Sequence, residues 1–163
     1  MNNWNKQGLT ICSQDCTEFV SMALQNGGLK LDPANNWVPS TDKCTSNSPW
    51  NFTDMLHDYL YSTMNWTRYE IARKEDRSQW NAFLNNWFMY NNQIPAGSVV
   101  LYDNGYTGKG FTFDHAAITT GITVEFSGVT GPQVVDRNNL HVNGPHSIAD
   151  TSTPQHIVIL VSK

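Results

Sequence analysis

The apolar residues change period near Ile94, and that change constrains the fold more than any other feature of the chain. Before it they recur every three or four residues, the spacing of one helix face; after it they run in short blocks broken by Gly, Pro and Asn. The stretch "SQDCTEFVSMALQNGG", residues 13–28, predicts a first helix. Ser13 is a suitable cap, Gln14 and Asp15 suit a first turn, Phe19, Val20, Ala23 and Leu24 share a face, and Gly27-Gly28 ends the run. A polar loop rich in Pro, Asn, Asp and Ser follows over residues 30–50. A second helix is predicted from about Asn51 to Met64, with Phe52, Met55, Leu56, Tyr59 and Leu60 inward. A third runs from about Ser78 to Tyr90, burying Trp80, Phe83, Leu84 and Trp87.

Beyond Ile94, "IPAGSVVLYD" predicts a Pro-Gly turn and a strand over Ser98–Tyr102. A glycine-rich turn spans residues 104–110. A strand then runs over Phe113–Thr120, with a continuation after Gly121, and two more cover residues 132–138 and 155–162. Helices first and consecutive antiparallel strands later predict an α+β fold, helices packed on one sheet. The chain has no internal repeat and no low-complexity linker, so residues 1–163 read as one domain.

A net charge of −4 and only 15% charged residues argue against a nucleic-acid partner, which would want a basic face. No long apolar run suits a membrane span. The opening "MNNWNKQGLT" has neither a basic n-region nor an apolar h-region. The expectation is therefore an intracellular protein or a mature domain of a longer exported chain. The abundance of Asn, Thr, Ser and Trp over Lys and Arg favours the extracellular setting. Three cysteines are an odd number, and a Cys12–Cys44 pair, if formed, would leave Cys16 as the free thiol.

Cys16 sits in the first turn of the first predicted helix. It reads either as a packed core residue or as a nucleophile, because a helix N-terminus stabilises a thiolate and offers N–H groups to an oxyanion. A nucleophile needs a base, and His115 opens the strand after the glycine-rich turn, placed by this reading at the sheet edge. In that strand Phe113, His115, Ala117 and Thr119 point one way, and Asp114, Ala116, Ile118 and Thr120 the other. The next strand carries Asp136 and Asn138 on one face, and either can accept the ring N–H and fix the tautomer. Alone, each residue also fits a structural role; together, Cys, His and Asp-x-Asn stand in the order nucleophilic catalysis needs.

Here the sequence resembles a known family. "DCTEFVSMALQNGG" is similar to the "DC(S/T)xFVSxxxxxGG" signature of bacterial amidase domains in the NlpC and CHAP branch of papain-like cysteine peptidases. "PAGSVVLYD" is similar to their "PGDLVxY", "DHAAITTG" to their "DHxxIVTG", and "VVDRNN" to the segment that completes the triad. The resemblance implies a papain-like α+β fold and cleavage of an amide bond in bacterial peptidoglycan, in the stem peptide or where peptide joins muramic acid. It makes Cys16 the nucleophile and His115 the general base. Asn138 falls at the third position, with Asp136 next to it in rank. Ser98 stands where the family usually has an acidic residue, and Asp-x-Asn is closer to the CHAP form of the third segment.

Asp15 reads as a capping carboxylate, and the Cys16 N–H with the Gln14 side chain as oxyanion donors. Trp37, in the polar loop "ANNWVPS", is the tryptophan expected to be exposed and free to stack on substrate sugar rings. No metal or cofactor is expected: His141 and His146 read as loop histidines without a ligand set, and "DNGYTGKGFTFD" lacks the EF-hand order. The expected location is extracellular or cell-wall associated. The competing readings are a cytoplasmic or delivered effector, a protein deamidase or transglutaminase, and an inactive wall-binding domain.

Overall fold

The computed structural model describes residues 16–39, 48–71, 94–103, 113–126, 129–138, 141–147 and 156–163. The predicted third helix and the pair Cys12 and Cys44 lie outside them, as do Gln14 and Asp15.

Helix α1 spans Cys16–Asn26 and is buried nearly all round, from Cys16 through Met22 and again at Leu24. Its end follows from its glycines. Gly28 takes φ +106°, a conformation that suits a residue without Cβ. Leu29 N–H then bonds the Leu24 carbonyl at 3.0 Å, and Gly28 N–H the Gln25 carbonyl at 3.0 Å, closing a Schellman turn. Leu29 packs back on the core.

The loop after α1 is not a polar surface loop throughout. Asp32 caps a 3-10 turn at Pro33–Asn35, and an isolated bridge between Asp32 and Trp37 folds the chain back. That return carries Trp37 inward, where it is wholly buried. Its ring lies 5.1 Å from Trp50 and stacks on Tyr59 at 5.6 Å. The expectation of an exposed Trp37 is therefore corrected: the polar neighbours form the turn that drives the indole into the core.

Helix α2 covers only Thr53–Asp58 and continues as a π turn, Tyr59–Thr63. Leu56, Tyr59 and Leu60 face the core as predicted. Phe52 does not, because it is extended at φ −114° before the first turn and stays 39% exposed.

Among the described residues the sheet holds six strands in the order β1-β6-β2-β3-β4-β5, with every neighbouring pair antiparallel. They are β1 (Thr67–Ile71), β2 (Val99–Asp103), β3 (His115–Phe126), β4 (Val129–Asn138), β5 (His141–Ser147) and β6 (His156–Val161). Strands β1 and β5 are additions to the predicted set, and β5 places His141 and His146 in a strand rather than a loop. Val99, Leu101, Ala116, Val158 and Leu160 form one buried face with α1 and α2. Val100, Tyr102, Ala117, Val134, Ile157 and Ile159 form a second core on the opposite face. Strands β2 and β6 are buried on both sides, which explains their continuous apolar runs.

A bulge interrupts β3 between Thr119 and Thr123. At its centre Gly121 has φ +78°, and a Cβ there would stand 3.0 Å from the Ala96 Cβ. The close approach lets Thr119 Oγ1 donate to the Pro95 carbonyl at 2.7 Å, while Ser98 N–H donates to Thr119 Oγ1 at 3.0 Å. Ser98, also bonded to Pro95 at 2.8 Å, thus closes the turn into β2.

Candidate active site

Cys16 is the first residue of α1 and is 5% exposed. The helix packs on β3 and β4, so its first turn meets the start of β3. There stands His115, directly across the ladder from Tyr102. His115 is not at a lateral edge of the sheet. Strand β3 is interior, between β2 and β4, and the imidazole reaches open space only because it stands at the strand's end, with a side chain 19% exposed.

Asp136 pairs with Ala117 across the β3–β4 ladder, and so lies diagonal to His115 on the same face. Its Oδ2 is 2.7 Å from His115 Nε2. The Cys16 thiol stands near the same imidazole and near the Ala116 N–H, and both favour its ionised form. With Nε2 donating to Asp136, Nδ1 is the nitrogen left to the sulfur. Asn138 ends β4 opposite His141, and its side chain lies outside the described residues.

The electrostatics follow from this geometry. Burial works against charge on Cys16, but the hydrogen bond and charge of His115, the Ala116 N–H and the Thr17 hydroxyl outweigh it and lower the thiol pKa. Burial likewise opposes charge on His115. The bond to Asp136, then the bond and charge of Cys16, overcome it and push the ring up to about 10. One state accounts for both directions: a thiolate and an imidazolium, the latter held from behind by a buried carboxylate. Such a pair can serve both parts of acyl transfer, a thiol eased toward its ionised form and a proton placed for a leaving group.

The Tyr102 ring lies 5.6 Å from that of His115, and burial with the Asp136 charge holds its phenol far above the usual value. Thr17 Oγ1 is 2.8 Å from Thr53 Oγ1 on α2. The next residue, Asp54, accepts from the Phe113 N–H at 2.6 Å. Tyr102 lies in a segment the sequence already singled out; Thr17, Thr53 and Asp54 carry no such signal, because their roles exist only once α2 docks. Among the described residues no group of three His, Cys, Asp or Glu is placed to hold a metal ion. None of the described helices is long and apolar enough to cross a membrane.

Known proteins give this arrangement a context. A family model described as "Putative amidase domain" matches residues 3–158, which takes in Cys16, His115 and Asp136. No curated protein and no solved structure matches the chain. The match spans nearly the whole sequence and covers every element from α1 to the first residues of β6, and the chain belongs to this amidase-domain family.

Proposed function

We propose that the chain is a cysteine amide hydrolase of the papain-like kind, from the NlpC and CHAP branch, acting on bacterial peptidoglycan. The observation that carries the chemistry is a single imidazole bonded to a buried carboxylate at 2.7 Å, with the Cys16 thiol close enough for its charge to act on that ring. The resemblance of "DCTEFVSMALQNGG" and "DHAAITTG" to that branch supports the target.

In this mechanism the Cys16 thiolate attacks the carbonyl carbon of a stem-peptide or muramoyl-peptide amide. The negative charge moves to the carbonyl oxygen, where the Cys16 N–H and the Gln14 side chain are assigned as donors. The His115 imidazolium gives its Nδ1 proton to the departing nitrogen as the C–N bond breaks, leaving a thioester on Cys16. Neutral His115 then takes a proton from water, whose oxygen attacks the thioester; the acid product leaves and the thiolate–imidazolium pair returns. Asp136 keeps Nε2 protonated throughout and holds the ring plane, so it fills the third position in preference to Asn138. The working location is the extracellular face or the cell wall.

Digestion of purified peptidoglycan by wild type and Cys16→Ala, with mass spectrometry of the soluble products, tests the proposal. New amine and carboxyl ends should appear with the wild type and be absent with Cys16→Ala. Equal release by both proteins refutes the nucleophile. No release by a wild type whose Cys16 is nonetheless hyperreactive refutes peptidoglycan as the target.

A further inference from the structure

The nucleophile and the base arrive on elements far apart in the chain, and α2 touches both through consecutive residues. Thr53 bonds Thr17, the residue after Cys16, at 2.8 Å. Asp54 bonds the backbone N–H of Phe113, two residues before His115, at 2.6 Å. Thr17 is 1% and Thr53 8% exposed, so the first contact is shielded from water. The second is charge-assisted and short. One turn further on, the His57 ring lies 5.2 Å from the Phe113 ring, giving α2 a second hold on the same residue.

We propose that Thr53 and Asp54 form a clamp that sets the separation of Cys16 and His115, acting as positioning residues for the thiolate–imidazolium pair. The reason lies in where each catalytic element is otherwise fixed. Val20 and Leu24 bury the body of α1 in the core shared with Ala116, but Cys16 and His115 stand at the ends of their elements. Before the Tyr102–His115 pair the β2–β3 pairing extends by one backbone bond, from Asp114 N–H to the Tyr102 carbonyl at 2.9 Å. Asp54 adds a hold one residue earlier, at Phe113, and Thr53 ties the first turn of α1 to the same helix. Both anchors are adjacent residues in the first turn of α2, so a change in the distance between Thr17 and Phe113 strains one of the two hydrogen bonds. The attraction between thiolate and imidazolium depends on that distance, and the clamp therefore acts on the ionisation of Cys16.

The clamp rests on the assignment of Cys16 and His115 as the reactive pair, but its test needs no substrate. Peptide-resolved alkylation of Cys16 by iodoacetamide, followed across pH, reads the thiolate directly, with thermal melts to confirm folding. Asp54→Ala should slow alkylation at neutral pH by about three- to tenfold and move its acid limb upward. Asp54→Asn should restore the rate, because its amide oxygen accepts the same N–H. Thr53→Val, which keeps shape and removes the hydroxyl, should shift the limb the same way by about two- to threefold. A folded Asp54→Ala with the wild-type profile overturns the clamp, as does an Asp54→Asn that behaves like Ala. Where Asp54→Ala does not fold, a wild-type profile in Thr53→Val overturns it instead. An ordinary thiol profile in the wild type would sink the reactive pair itself, a separate outcome.

Discussion

Replacing Asp136 with Ala removes the acceptor from His115 Nε2, a 2.7 Å bond at a residue only 5% exposed. A charge-assisted hydrogen bond in such surroundings contributes about 1.5–3 kcal/mol. One pH unit corresponds to about 1.4 kcal/mol, so the imidazolium, now holding its proton up to about 10, should lose it about one to two pH units sooner. Asp136→Asn keeps an oxygen acceptor without the charge and should fall between the two. The sign carries over to stability. A raised folded pKa contributes fully below the unfolded value of 6.5 and is lost as pH climbs through about 10. The stability gap between wild type and Asp136→Ala should therefore hold steady at lower pH and close over the last one to two units below about 10, where only the wild-type ring keeps its proton. The assay is an NMR titration of the His115 ring protons, assigned by comparison with His115→Ala. A folded Asp136→Ala whose His115 titrates where the wild type does would refute the argument, and the carboxylate would not be what holds the charge.

The same pair shapes catalysis. kcat/KM on a soluble amide substrate should follow a bell: an acid limb below the ordinary thiol range, where Cys16 takes up its proton, and an alkaline limb near 10, where His115 gives its own away. Trp37→Ala should destabilise the protein by about 3–5 kcal/mol in denaturant unfolding, as for any wholly buried tryptophan; a variant of unchanged stability but weaker glycan binding would restore the surface role.

The parts of the site legible in the sequence are those held by regular periodicity. Cys16 could be placed because Phe19, Val20 and Leu24 repeat at helical spacing and Gly28 marks the stop. Asp136 and Asn138 could be grouped because strand alternation puts them on one face, and their order after Cys16 and His115 joined them to the site. What stayed hidden depends on contacts between segments. "TRYEI", now β1, alternates too weakly to stand out after a π turn that no residue pattern announces. "HVNGPHS" carries Gly and Pro and reads as a turn. It forms β5 because it lies at the sheet's edge, where a proline is tolerated, with a shifted register between its pairings to Val134 and Asp136. Trp37 misled for a related reason: the hydrophilic residues around it are the turn that buries it. The choice between Asp136 and Asn138 needed the bulge in β3 and the ladder below it, which together decide which carboxylate or amide stands behind the ring.

The place of β6 has a consequence in time. Strands β2, β3 and β4 are neighbours in sequence order, yet β2 is flanked on its other side by β6, the last strand described. Until residues 156–161 leave the ribosome, Val99, Val100, Leu101 and Tyr102 form an unpaired apolar rim beside the strands that carry His115 and Asp136. A nascent or truncated chain lacking β6 is then a sticky intermediate rather than a small enzyme. Under the proposed mechanism, the site that holds Cys16 and His115 is supported on both flanks only once β6 has joined the sheet.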